Sequence, residues 1–185
     1  MRAKLDRMSA AIGLAAVAVL ATGSPARAWE FVEVLSPLGD HATGIVQPAT
    51  NQPGIALAIA CEGDRWRQVA LLPEVDNPFR LASSGDVRYG FSPQQLGPKG
   101  PWKPKKLGDG RRAYFAPSPS LMVKRLADEA RKNPKAVFYV QASPSKKSPI
   151  VLHFPLAGMP EAIRKHLWEP CKLDVYVGEG DGERK

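Results

Sequence analysis

Alternating apolar and polar residues predict short β-strands along most of the chain. In the segment 55–61 (IALAIAC), the large side chains and Cys61 share one face, while alanines occupy the other. A turn at 62–64 leads into a returning segment at 66–72, so these two strands are predicted to form a hairpin. The alanine face predicts close packing against a helix or a second sheet. Further strands are predicted at 29–34, 43–46, 87–91, 112–115, 137–141, 150–156 and 173–177.

Two amphipathic helices are predicted near the C-terminal half. The first begins with Ser118 as N-cap and Pro119 in the first helical position, and its apolar residues recur at every fourth position. The second runs from Pro160 to about Glu169, where Pro170 is expected to end it. Because most strands come before the helices, the order predicts an α+β fold, with an antiparallel β-sheet or β-sandwich and two helices.

Residues 1–28 have the pattern of a cleaved secretory signal. A positively charged start precedes an apolar segment at 10–21, and small residues stand where a signal peptidase cuts. The apolar segment has roughly twelve residues, whereas a membrane-spanning helix needs about twenty. We therefore expect cleavage after Ala28, a single α+β domain at 29–177 without a transmembrane span, and a disordered tail at 178–185. This predicts a periplasmic or secreted protein, and an uncleaved N-terminal anchor is the alternative.

Cys61 and Cys171 are the two cysteines of the chain. In an exported protein, two cysteines most often form one disulfide, because the compartments outside the cytoplasm are oxidising. Such a bridge would tie the predicted central hairpin to the end of the second helix. The alternative is a pair of separate buried thiols.

One segment, 97–112, stands out by its charge. The whole chain has a formal net charge of +8, which allows an acidic partner without requiring one. In this segment Asp109 is the single acid, and Trp102 lies in the middle. Its cations are Lys99, Lys103, Lys105, Lys106, Arg111 and Arg112. Most of this segment lies in the region 93–110, which is rich in proline, glycine and lysine and is therefore predicted to be a loop.

Two interpretations of this basic segment are open. Cations around an exposed Trp102 would suit an anionic, partly apolar partner, such as an anionic lipid, a lipopolysaccharide, an acidic glycan or an envelope protein. Nucleic acid would match the same charges, but the predicted export takes the protein away from it. In the second interpretation the lysines are simply solvated, and Trp102 folds back to cap the core.

Motifs for catalysis are missing from the sequence. It contains no Gly-x-Ser-x-Gly elbow and no glycine-rich phosphate loop between a strand and a helix. The histidines His41, His153 and His166 are not spaced with other ligands as a metal site requires. We therefore predict no catalytic residue, no metal and no cofactor, and a non-catalytic binding or accessory module of the cell envelope. The alternatives are a cell-wall hydrolase with a site assembled from dispersed carboxylates, and an inhibitor or immunity-type partner.

The chain resembles a known protein family at a set of positions that are mostly apolar or important for the fold. These positions lie in 57–63 (LAIACEG), 87–91 (VRYGF), Trp102, 121–126, 154–159 (FPLAGM), 162–163, Leu167 and Cys171. In this pattern the chain resembles the C-terminal domain of VasI-like accessory proteins of type VI secretion, and related uncharacterised exported proteins of proteobacteria. The resemblance implies a similar fold and brings no catalytic residues. Ser92 stands where the family pattern has an aspartate, so a role in secretion does not follow from it.

Overall fold

A computed structural model describes residues 29–35, 41–62, 66–74, 76–81, 87–98, 100–144 and 148–171 of the chain. These residues form antiparallel β-sheets with short helices in the C-terminal half, which confirms the predicted α+β fold. The predicted signal at 1–28, the strand at 173–177, the tail at 178–185 and the side chain of Lys99 lie outside the described residues.

The strands and helices follow one another closely along the described part of the chain. The strands are β1 (Glu30–Leu35), β2 (His41–Pro48), β3 (Ile55–Glu62), β4 (Trp66–Pro73), β5 (Val87–Gly90), β6 (Lys103–Lys106), β7 (Arg112–Phe115), β8 (Val137–Ala142) and β9 (Ile150–Pro155). The helices are α1 (Pro119–Lys132), α2 (Met159–His166) and α3 (Trp168–Cys171). One sheet has the strand order β1-β2-β3-β4-β7-β6, and the other has the order β5-β8-β9.

Both sheets contribute to one large hydrophobic core. The first sheet buries Leu57 and Val69 in it, and the second sheet buries Phe138 and Leu152. Helix α1 packs against β4, and α2 packs against β1 and β2, so their apolar faces complete this core. As the alternation in the segment 55–61 predicts, the large side chains of this segment point into the core.

The alanine face of β3 belongs to a second, smaller apolar cluster. Ala58 of β3 and Ala70 of β4 lie directly opposite each other in the register, and both are buried. Leu107 and Ala113, from the hairpin of β6 and β7, complete the cluster. The described residues that pack on this face come from the same sheet and its β6–β7 turn, so the predicted partner, a helix or a second sheet, is not the one observed.

A disulfide joins Cys61 of β3 to Cys171 of α3, as the sequence predicts. Their Cα atoms are 5.5 Å apart, and both residues are almost fully buried. Because α3 packs against β3, the bridge fixes the C-terminal helices onto the central strand of the larger sheet. The interpretation with two separate thiols is therefore wrong.

The helix boundaries differ from the prediction in two places. Pro170 lies inside α3, because a proline in the first turn of a helix removes no intrahelical hydrogen bond. A third short helix therefore follows α2. Ser118 is the N-cap of α1, but its hydroxyl makes no capping hydrogen bond, because its backbone is left-handed with φ 49° and ψ 55°. Its carbonyl still accepts the N–H of Met122 at 3.2 Å, so the helix begins where predicted.

Candidate functional site

The basic segment forms an edge hairpin instead of the predicted loop. Strand β6 (KPKK) pairs with β7 along its whole length, from Lys103 opposite Phe115 to Lys106 opposite Arg112. Strand β7 in turn joins β4. Pro104 is compatible with β6 because an edge strand has one side without ladder hydrogen bonds. No strand was predicted at 103–106, because lysines and a proline show no apolar alternation.

The turn of this hairpin is closed by several hydrogen bonds. The N–H of Leu107 donates to the carbonyl of Arg111 at 2.7 Å, and Gly110 donates to the carbonyl of Leu107 at 3.0 Å. Asp109 accepts the backbone N–H of Arg111 at 3.0 Å and its Nε–H at 2.6 Å. Gly110 has φ 85°, a conformation that suits glycine. The cations next to the turn are therefore attached to a well-defined backbone.

Trp102 lies in the core, at 0% exposure. Its ring meets that of Tyr89 edge-on, with centroids 6.3 Å apart. An aromatic side chain of this size gains more from burial than from solvent contact. Of the two interpretations of Trp102, the one with an exposed ring is therefore wrong, and the one in which it folds back onto the core is confirmed.

Strand geometry divides the remaining cations between two sides of the hairpin. Lys103 and Lys105 are two residues apart, so they share one side. Lys106 and its cross-strand partner Arg112 take the other side. Arg111 follows the turn and lines a cavity together with Lys106 and Arg112. The sequence treated these cations as one surface, whereas the structure separates them into two.

The side with Lys103 and Lys105 borders an open groove of about 370 Å³. We call it the Phe115 groove. Its described lining consists of Gln68, Pro101, Lys103, Lys105, Phe115, Ala116, Pro117 and Pro119. Most of these side chains are apolar, and the two lysines are exposed. The groove therefore combines an apolar floor with a positive border.

Phe115, and not Trp102, is the aromatic residue that is partly exposed beside the lysines. Its ring is partly exposed, and the Nζ of Lys105 lies 5.5 Å from the ring centroid, within the range of a cation–π contact. Sequence reasoning missed Phe115 as a functional residue. The strand prediction at 112–115 already placed Phe115 and Tyr114 on opposite faces, but it could not say which of the two faces the core.

The charged side chains in the described lining of the groove are all positive. Lys103 and Lys105 line it, and no carboxylate occurs among its described lining residues. The wall formed by 117–119 is stiff, because two prolines flank Ser118, whose left-handed backbone is uncommon for a residue other than glycine. The geometry suits a ligand with an apolar body and a negative group.

Two histidines singled out in the sequence make ring contacts in the structure. His153 packs edge-on against Tyr139, and His166 stacks on Phe31, each with ring centroids 5.0 Å apart. Across the described ranges, no group of three or more His, Cys, Asp and Glu residues is arranged to hold a metal ion.

Comparison with known proteins gives no relative on which a function could be based. No protein family, curated protein or solved structure matches the chain. The resemblance to VasI-like accessory proteins therefore stays a prediction. In the part of the chain that the structure describes, no helix has both the length and the apolar character needed to cross a membrane.

Proposed function

We propose that this chain is a non-catalytic binding module of the cell envelope, and that the Phe115 groove holds an anionic amphiphile. The observation that supports this proposal is the apolar floor around Phe115, bordered by Lys103 and Lys105. A ligand with a hydrocarbon part and a carboxylate or phosphate group would satisfy both features at once.

The lining favours a hydrocarbon over a glycan. An acidic glycan carries many hydroxyl groups, and each one needs a hydrogen-bond partner when it leaves water. Among the described residues that line the groove, only Gln68 has an uncharged polar side chain. A hydrocarbon chain needs no such partners and gains about 25 cal/mol for each Å² of apolar surface that it buries.

The two lysines suit this ligand because each has an apolar stem and a charged end. The stem can cover a hydrocarbon chain while the ammonium group stays at the water interface. Residues i and i+2 of a strand are roughly 7 Å apart, so Lys103 and Lys105 could contact the same anionic group from two positions.

Export from the cytoplasm is part of the proposal. It is supported by the signal pattern at 1–28 and by the disulfide between Cys61 and Cys171, since such bridges persist mainly in oxidising compartments. When the gene is expressed in a bacterial host, we expect protein from the periplasmic fraction to have the mass of a chain that begins at Trp29. A periplasmic product that keeps residues 1–28 would contradict cleavage, and a wholly cytoplasmic product would contradict export.

The groove can be tested by titrating the periplasmic protein with dodecanoate below its micellar concentration in a calorimeter. The double variant Lys103→Gln/Lys105→Gln should bind about five- to tenfold more weakly, because each exposed charge contributes at most about 1 kcal/mol. The matched control is Lys106→Gln/Arg112→Gln, which removes the same charge from the other side of the hairpin. It should stay within about twofold of the wild type. Equal loss in both double variants would mean a nonspecific effect of net charge and would contradict the groove.

The apolar floor needs a separate variant. Phe115→Asn should weaken dodecanoate binding, whereas Phe115→Leu keeps an apolar side chain and should retain most of it. Because Phe115 also packs against the smaller apolar cluster, thermal unfolding of both variants checks that they are folded. Unchanged affinity in a folded Phe115→Asn variant would contradict the proposed floor.

Binding to lipid vesicles tests whether the amphiphile is part of a membrane or a single dissolved molecule. Co-sedimentation with phosphatidylglycerol vesicles, but not with phosphatidylcholine vesicles, would indicate a membrane surface as the partner. Binding of monomeric dodecanoate without co-sedimentation would indicate a carrier of single molecules. If the protein binds neither probe, the proposed function is wrong.

A further inference from the structure

The other side of the hairpin borders a second cavity, of about 550 Å³, which we call the polar pocket. Its described lining consists of Pro73, Glu74, Arg80, Lys106, Asp109, Gly110, Arg111 and Arg112. Four of these residues are cations and two are carboxylates. In contrast to the Phe115 groove, this lining is mostly charged, so it suits a polar ligand.

Two of its guanidinium groups are held in place by the protein. The Nη1 of Arg80 donates to the carbonyl of Asn77 at 3.0 Å and to that of Phe79 at 2.7 Å. The Nε of Arg111 donates to Asp109 at 2.6 Å. A guanidinium has five N–H donors, and these bonds use only some of them. The side chains therefore keep donors for a ligand while part of their rotational freedom is already lost, which lowers the entropic cost of binding.

The remaining two cations repel each other. Lys106 and Arg112 stand directly opposite in the β6–β7 ladder, and like charges in this position destabilise a sheet. Within the described ranges neither residue forms an ion pair, and Asp109 is already bound to Arg111. An anion placed between Lys106 and Arg112 would relieve this repulsion.

We infer that the polar pocket binds a phosphate monoester on a polar scaffold. A phosphate monoester carries close to two negative charges at neutral pH, and its oxygens accept paired N–H groups from arginine. The net positive lining offers three guanidinium groups and one ammonium group to such a dianion. The cavity also leaves space beside the phosphate for a small hydroxylated group. This inference does not depend on the amphiphile proposed for the Phe115 groove.

The test is a titration of the periplasmic protein with glycerol phosphate at low ionic strength, followed by calorimetry. The double variant Lys106→Gln/Arg112→Gln should lose about tenfold or more in affinity, because hydrogen bonds to charged groups are the strong ones. The control Lys103→Gln/Lys105→Gln removes the same charge on the Phe115 groove side and should keep the wild-type affinity within about twofold. Glycerol without the phosphate should not bind.

A conservative variant separates a phosphate fork from a simple positive charge. Arg112→Lys keeps the charge but loses the planar donor pair, so we expect it to bind glycerol phosphate more weakly than the wild type and more tightly than Arg112→Gln. Thermal unfolding of each variant confirms folding. Wild-type affinity in a folded Lys106→Gln/Arg112→Gln variant, or an equal loss in the control, would overturn the inference.

The same monoester can also come from a lipid headgroup. Vesicles containing phosphatidic acid carry it at a membrane surface, whereas glycerol phosphate carries it in solution. Binding to glycerol phosphate supports a soluble ligand, and binding to phosphatidic acid vesicles alone, lost in Lys106→Gln/Arg112→Gln, supports the lipid source. Failure to bind either probe overturns this inference and leaves the dodecanoate result for the Phe115 groove unaffected.

Discussion

Two hairpins of the larger sheet, β3–β4 and β6–β7, are built from the same kind of pairing and differ in what supports them. The β3–β4 hairpin lies in the middle of the sheet, is paired over eight residues, and has apolar side chains on both faces. The β6–β7 hairpin is paired over four residues, lies at the edge, and joins the rest of the sheet through β7. All four residues of its first strand are exposed.

If the proposed binding sites are correct, this difference separates stability from recognition. The β3–β4 hairpin is stabilised by the burial of apolar side chains on both of its faces and by the Cys61–Cys171 disulfide. The β6–β7 hairpin is anchored chiefly by three buried residues. They are Trp102 just before β6, Leu107 in the turn and Tyr114 in β7. Because these residues support it from one end and one side, its charged side chains can stay in solvent and line two cavities.

The largest expected effect comes from removing the support of the edge hairpin. Trp102→Ala should lower the free energy of unfolding by about 3–5 kcal/mol, because truncating a fully buried aromatic leaves a cavity in the core. Trp102→Phe keeps most of the apolar volume and should cost much less. Urea unfolding measures both. A loss below about 1 kcal/mol in Trp102→Ala would contradict its burial in the core.

The disulfide tests the support of the central hairpin. The double variant Cys61→Ala/Cys171→Ala should lose about 2–5 kcal/mol of stability, because the bridge restricts the unfolded chain. Below its melting temperature this variant should bind dodecanoate like the wild type, since the bridge lies at β3 and α3, away from the lining of the Phe115 groove. Loss of binding in a folded double variant would contradict the separation of the two roles.

A smaller effect is expected where the edge hairpin is connected to the segment after β4. The hydroxyl of Tyr114 accepts the backbone N–H of Leu81 at 3.1 Å, and its ring meets Phe79 edge-on. Tyr114→Phe keeps the ring and removes this acceptor, so it should cost about 0.5–1.5 kcal/mol in urea unfolding. An unchanged unfolding midpoint would show that this hydrogen bond does not support the hairpin.

The smallest effect concerns helix α1, outside both hairpins. The hydrogen bond from Lys124 lowers the pKa of Asp128 below its ordinary value of 3.8, and Arg131 acts in the same direction. Stability from a lowered carboxyl pKa is present above the unfolded pKa and is lost as the pH falls through the folded one. Asp128→Asn should therefore be slightly less stable than the wild type at neutral pH, and the difference should disappear in more acidic solution. A difference that persists there would exclude a charge effect.

The sequence predicted the central hairpin and failed on the edge hairpin for a physical reason. Period-two alternation in 55–61 predicted which face of β3 carries its large side chains, and the turn at 62–64 predicted β4 as its partner. Strand β6 shows no apolar alternation, so its structure depends on pairing with β7, which a local pattern does not show. The division of the cations follows only from that pairing, so it could not be predicted from the run of charges.

The burial of Trp102 and the partial exposure of Phe115 have a similar origin. Both are aromatic residues beside lysines, and burial favours either ring, so composition does not predict which of the two is inside. Trp102 is buried because its position before β6 brings it next to Tyr89 of the second sheet. Phe115 borders solvent because Tyr114, its neighbour in β7, occupies the core side. Tertiary pairing decided both outcomes.

The most direct test of the two-sided hairpin is a map of backbone amide shifts by heteronuclear NMR during two separate titrations. With dodecanoate, saturable shifts should centre on Lys103, Lys105 and Phe115. With glycerol phosphate, they should centre on Lys106 and Arg112. If both probes moved the same amides, or if neither moved any amide of the β6–β7 hairpin, the account of two distinct sites would be contradicted.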